Sequence, residues 1–167
     1  MLADIKIKPL KRIPDERGFF TEIFRRDWKD LFEDENIVQA NLSITYPNIV
    51  RAWHKHERGQ IDYFVVIKGA LKICAYDDAT GELDEVISTG ESLQVVKIPG
   101  HYWHGFKVVS NETAQHVYFV NRLYDYAKPD ELRRPWNDSS IVPKRINGKT
   151  DDPRVGKPWD WFLPPHK

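Results

Sequence analysis

The chain has 167 residues, 41% hydrophobic and 13% aromatic, which suits one domain with a full core and is too apolar for a disordered chain. Lys plus Arg equals Asp plus Glu at 25 each, so no global basic field argues for nucleic acid, and any polyanion must be held by local arginines. The single cysteine, Cys74, excludes an internal disulfide framework and fits a reducing cytoplasm; no apolar run opens the chain as a signal peptide or reaches the ~20 residues of a membrane span.

Residues 4–10 alternate and predict a first strand. Residues 14–18 read as a turn and residues 19–24 as a second strand. Residues 25–32 are the one convincing helix candidate, with Trp28, Leu31 and Phe32 at helical spacing. Residues 38–44 predict a strand that puts Gln39, Asn41 and Ser43 on one face. That pattern suits a wall of a polar cavity.

Residues 50–66 organise the rest. Alternation sets Arg51, Trp53 and Lys55 on one face and Ala52, His54 and His56 on the other. Two imidazoles facing one way beside the apolar strand 63–67 fit a proton-transfer site or a metal site. Arg51 and His54 are three apart, so a regular strand would point them to opposite faces. If both reach one substrate, a bulge or twist is required near Ala52–Trp53.

Further strands are expected at 71–76, 85–87, 93–98, 106–109 and 115–120, separated by turns. Many short strands at close spacing mean a sandwich or a closed barrel. Cys74 reads as a small core residue rather than a reactive thiol. Trp53 and Trp103 have the opposite parity to the site histidines and should pack against an outer layer or a partner chain. His101, His116 and His166 read as structural or surface, and Arg25–Arg26 and Arg133–Arg134 as solvated. Residues 129–167 read as irregular chain wrapped on the barrel and anchored by Trp136, Trp159 and Trp161. The expected division is a barrel over 1–145 and a packed tail over 146–167.

The strand after Arg51 and the Ile98–Pro99–Gly100…His104 turn resemble the two motifs of the cupin superfamily, a small antiparallel barrel. The closer resemblance is to the dTDP-4-dehydrorhamnose 3,5-epimerase family, and it is collinear from about Asp15 to Asp138. Asp15–Glu16–Arg17–Gly18–Phe19–Phe20–Thr21–Glu22 looks like the family's opening motif, and Gln39–Ala40–Asn41–Leu42–Ser43 like its Gln-x-Asn-x-Ser strand. Val50 through His54 stands where the family has Arg-Gly-Leu-His. His104–Gly105–Phe106, the tyrosines Tyr118 and Tyr124, and Trp136–Asn137–Asp138 follow in family order.

The resemblance implies an all-β, cupin-type jelly roll with one short helix, and a homodimer whose sheets join across a two-fold axis. It implies an epimerase or isomerase without cofactor or metal, acting on a dTDP-type 4-keto-6-deoxy hexose. His54 matches the base and Tyr118 the proton donor. Arg17 and Arg51 match cations that hold the diphosphate. Glu22, Gln39 and Asn41 match the pocket lining, with Phe20, Gln60, His104 and Tyr124 as further substrate contacts. The chemistry agrees. A proton next to a ketone needs a base titrating near neutrality, which histidine supplies unperturbed, while a tyrosine hydroxyl can return the proton.

One departure is a family lysine replaced here by Asp62, which is assigned to orient His54. Two alternatives use the same residues. A metal-dependent cupin would hold Fe, Mn, Ni or Zn on His54, His56, Gln60 and His104. A non-catalytic sugar-nucleotide-binding cupin would keep the pocket without the chemistry.

Overall fold

The computed structural model describes residues 2–165, so His166 lies outside the described residues. Thirteen strands and one helical turn follow in order: β1 (Lys6–Pro9), β2 (Ile13–Asp15), β3 (Gly18–Phe20), α1 (Lys29–Phe32), β4 (Gln39–Thr45), β5 (Val50–Lys55), β6 (Ile61–Lys68), β7 (Ala70–Asp77), β8 (Glu82–Thr89), β9 (Gln94–Pro99), β10 (Trp103–Val108), β11 (Ala114–Val120), β12 (Leu132–Arg133) and β13 (Arg145–Ile146). They form a five-stranded sheet, β1-β9-β6-β11-β4, and a six-stranded sheet, β12-β5-β10-β7-β8-β13. β2 and β3 form a separate hairpin. The all-β jelly-roll class expected from the sequence is the class observed. Among the described residues, no helix is long and apolar enough to cross a membrane.

Strand parity explains the layers. Phe64, Val66, Val96 and Ile98 of the first sheet meet Leu71, Ile73, Phe106 and Val108 of the second in one buried cluster between the sheets. Tyr63, Val65, Val95 and Phe119 point the other way and are covered by Leu31 and Phe32 of α1. This is why β6 is apolar at every position from Tyr63 to Ile67: most of it is buried on both faces.

The outer face of the second sheet carries Trp53, Cys74, Tyr76 and Trp103, covered by Ile141, Ile146, Trp159 and Trp161. Trp53 packs on Trp161 with ring centroids 4.7 Å apart. The outer layer expected for the two tryptophans is therefore the chain's own tail. A buried charge cluster pins it there. Arg154 donates to Glu85 at 3.0 Å, and Lys72 Nζ donates to the carbonyls of Trp161 and Leu163. Burial pushes the Cys74 thiol well up, as suits a core residue.

Two local expectations need correction. The helix is a single turn, Lys29–Phe32, rather than residues 25–32. Arg25 is drawn to Asp27 and Glu22, Trp28 offers no side-chain cap, and Glu33 at φ 55° ends the turn. So short a helix is held by burying Leu31 and Phe32, not by propensity. The second strand stops at Phe20 and pairs with Ile13–Asp15, and residues 21–24 leave the strand, with Thr21 donating to the Lys11 carbonyl.

Candidate active site

The register of β5 against β10 breaks at the position the sequence singled out. His104 faces His54 and Phe106 faces Arg51, so Ala52 and Trp53 together oppose the single residue Gly105. The extra residue lets Ala52 and Trp53 both pack outward, while Arg51 and His54 both line the cavity. A side chain at 105 would have no room. A Cβ there would lie 2.4 Å from Ala52 Cβ and 2.6 Å from the Arg51 carbonyl oxygen.

The cavity has a volume of about 320 Å³, within the range of small-molecule sites. Arg51, His54, His104 and Phe106 form one wall. Asp62, Phe64, His116, Tyr118 and Ser43 form the facing wall from the other sheet, and His56, Gln60, Tyr124, Glu131 and Arg133 complete the rim. The structure thus gathers His54, Tyr118, Asp62, Arg51, Gln60, His104 and Tyr124 from the residues expected in the site. Gln39 and Asn41 bond to each other at 2.9 Å, and Gln39 Oε1 accepts from the Tyr124 backbone at 3.0 Å, so they brace the rim. Arg17, Phe20 and Glu22 are not brought in. Arg17 sits on the exposed β2–β3 hairpin, paired with Asp15 at 2.7 Å, Phe20 is 62% exposed, and Glu22 pairs with Arg25.

The carboxylate that holds His54 is Glu131, not Asp62. His54 Nδ1 is hydrogen-bonded to Glu131 Oε1. β5 and β6 belong to different sheets, so Asp62 faces across the cavity and meets other imidazoles. Its Oδ2 lies 3.0 Å from His104 Nε2 and 3.7 Å from His56 Nε2. Burial pulls the His104 imidazole down, but the hydrogen bond and charge of Asp62 outweigh it and leave its pKa above the ordinary value. The quartet His54, His56, Gln60 and His104 is not assembled as a ligand set. His54 is turned to Glu131, and the Gln60 amide donates to Asp62 Oδ1 at 3.0 Å.

Two residues read as bland, Arg133 and His116, belong to this pocket. Arg133 lines the rim and pairs with Glu131 at 2.7 Å, while Arg134 stacks over Trp103 at 4.1 Å and pairs with Asp78. The Arg133 side chain is 72% exposed, as the solvated reading expects, whereas Arg134 is held on the outer face. His116 is 1% exposed among Phe64, Phe106 and Tyr118, and its Nδ1 has no hydrogen-bond partner. Burial lowers its pKa to about 4, so it is neutral at physiological pH. Its parity with Tyr118 on β11 was the available signal. Tyr118 is pushed up by burial and by the charges of Asp62 and Glu131, so its hydroxyl keeps its proton.

Glu131 gives a pH prediction. The hydrogen bond from His54, with help from Arg133, lowers its pKa from 4.5 to about 2 against the opposing effect of burial. A depressed carboxylate stabilises the fold fully above its unfolded pKa, and that contribution is lost as pH falls from about 4.5 towards 2. Glu131→Gln is therefore expected to lose melting temperature less steeply than wild type over that window. Parallel curves would mean the pair contributes nothing.

Residues 1–147 match the family model described as dTDP-4-dehydrorhamnose 3,5-epimerase. The chain is 41% identical over 141 residues to the probable low-salt glycan biosynthesis epimerase Agl13 of Haloferax volcanii, covering 81% of this chain and 89% of the relative. It is 32% identical to the spore coat polysaccharide biosynthesis protein SpsL of Bacillus subtilis, covering 84% and 94%. Its fold superposes with a TM-score of 0.73 on the dTDP-6-deoxy-D-glucose-3,5-epimerase of Legionella pneumophila in complex with dTDP-4-keto-L-rhamnose, at 26% identity over 96% of this chain and 80% of that one.

Proposed function

The chain belongs to the dTDP-4-dehydrorhamnose 3,5-epimerase family, and from that membership we propose that it epimerises a dTDP-linked 4-keto-6-deoxy hexose with His54 as base and Tyr118 as acid. The observation that carries the reading is an imidazole held at one nitrogen by a carboxylate in the same cavity as a half-buried, protonated phenol. Glu131 accepts the Nδ1 hydrogen and so fixes the tautomer that presents the Nε2 lone pair to the substrate. Nε2 takes the proton from a carbon beside the ketone, and the bonding pair moves onto the C4 oxygen as an enolate. Tyr118 then returns a proton to the opposite face of that carbon, which inverts it. Arg51, on the same wall through the β5 bulge, offers a guanidinium fork to the diphosphate.

The homodimer is part of the same reading. β4 is an unpaired sheet edge, its outward residues Leu42 and Ile44 are exposed, and so are Ile13, Phe19 and Phe20 of the hairpin. We assign Arg17, Phe20 and Glu22 to the pocket of a second copy, since within one chain they face solvent. A monomer by light scattering at micromolar concentration overturns this assignment. The single buried thiol supports a cytoplasmic location.

The reaction is tested by incubation with the 4-keto sugar nucleotide in D₂O, with deuterium read at C3 and C5 separately. Incorporation at either carbon is expected. Tight binding with no incorporation at either would leave a binding protein in place of an enzyme.

A further inference from the structure

We propose that His116 is a further binding residue of the cavity, donating its Nε2 hydrogen to the diphosphate of the sugar nucleotide beside Arg51. The identity of the ligand rests on the proposed epimerase function; the donor follows from its place in the fold.

Strand register divides the cavity into two levels. His54 of β5 stands opposite His104 of β10, and Arg51 stands opposite Phe106 on the next level. On β11, Tyr118 and His116 are two residues apart and both line the cavity. Phe106 meets His116 edge-on across the gap between the sheets, with ring centroids 4.8 Å apart. His104 instead meets Asp62, which lies beyond Phe64, the β6 partner of Tyr118. The level of Arg51 is therefore the level of His116, while His54 and His104 lie towards Tyr118. Two residues of strand separate the levels by about 6.5 Å. Proton transfer is assigned to one level and the cation for the diphosphate to the other.

On its level His116 breaks the pattern of its neighbours. The ring packs on Phe64, Phe106 and Tyr118, where a phenylalanine would pack without an unpaired polar atom. Nδ1 is sealed without a partner. As with backbone groups, a buried N–H with no acceptor is rarer than an acceptor short of a donor, so the hydrogen belongs on Nε2. Nε2 is the ring nitrogen in reach of the cavity, and no described residue accepts its hydrogen. The charged groups on the facing elements are Arg51 on β5, Asp62 on β6, and Glu131 and Arg133 at the rim. Arg51 is the one that acts on the ring, and together with burial it keeps the imidazole neutral. An uncharged donor can stand beside a guanidinium in a buried corner, where a second cation would be repelled. Ser43, directly opposite His116 in the β4 register, lines the same corner and adds a hydroxyl. A guanidinium, an imidazole N–H and a hydroxyl suit phosphoryl oxygens. An unpartnered nitrogen costs stability, and such a breach of a local rule is expected where function requires it.

The test uses the full chain labelled with nitrogen-15. At neutral pH the His116 ring is expected as the Nε2–H tautomer, its signal assigned by its loss in His116→Phe, and Nε2 should shift on addition of dTDP. His116→Phe should weaken dTDP binding about tenfold or more, the least that a hydrogen bond to a charged acceptor is worth. Its urea midpoint should hold or rise, because a buried unpaired polar group is removed. A dTDP affinity within about twofold of wild type in the folded variant overturns the proposal. So does a hydrogen on Nδ1, an Nε2 signal that dTDP leaves unmoved, or an equal shift with thymidine, which carries no phosphate. The tautomer and both shifts are read on the wild type, so they stand even if the variant misfolds. A wild type that binds no dTDP overturns the sugar-nucleotide reading and this contact with it. Wild-type binding that survives in the variant overturns the contact alone, and deuterium exchange is read separately from both.

Discussion

His54→Ala is expected to lower solvent proton exchange into the sugar by at least about 10³-fold while nucleotide affinity changes by less than about tenfold. A positioned general base contributes about 10²–10⁴ in rate, and each tenfold corresponds to about 1.4 kcal/mol of barrier. Its effect falls on the transition state, because a base acts on the proton being transferred, whereas Arg51 is the group assigned to the diphosphate. Arg51→Ala should divide the other way, weakening dTDP binding first and exchange at saturating substrate less. The two side chains share a wall and a strand, separated by the bulge, so the contrast tests role rather than location. His54→Ala enzyme with wild-type exchange would remove the base assignment.

Gly105→Ala is expected to be as damaging as a change in the site itself. The new Cβ would meet Ala52 Cβ at 2.4 Å, the Arg51 carbonyl oxygen at 2.6 Å and Ala52 Cα at 2.7 Å. Two of these are backbone atoms, so no rotamer relieves the clash and β5 must move off β10. Overpacking of this kind costs about 1–3 kcal/mol and here should reach the upper end, read as a shift in urea midpoint at unchanged slope. The same movement carries Arg51 and His54 with it. A displacement of about 1 Å in a catalytic group can cost about 10²-fold in rate, so exchange should fall even in the folded fraction. A variant with wild-type midpoint and exchange would show that the strand pair is looser than its spacing implies.

Much of this architecture was legible in the residues. The apolar run of β6 and the alternation of β4 and β11 follow from parity, and the Arg51–His54 spacing requires a bulge if both side chains reach one substrate. Glu131 and Asp130 were not legible. They sit in a Pro- and Asp-rich stretch without periodicity, and reach His54 and His56 across 77 and 74 residues. Nothing local marks one carboxylate there as special. Asp62 stands out in the sequence, but its partner in the fold is His104 and not His54. Alternation tells which face a side chain takes, whereas its neighbour depends on which sheet each strand joins. Arg133 failed for a related reason: a two-residue strand is too short to carry a pattern.

Every residue that lines the cavity lies between Ser43 and Arg133, yet the back of the bulge is set by Trp161 against Trp53. During synthesis the chain emerges from its N-terminal end. A nascent chain can therefore carry the whole reactive constellation while the outward faces of Trp53 and Trp103 still lack their cover. The geometry that puts Arg51 and His54 on one wall is completed only when the segment from Ile141 to Leu163 arrives and its backbone carbonyls find Lys72. A premature stop after about Asp151 would leave all the chemistry encoded, with a large aromatic surface open to aggregation and no support behind the catalytic strand.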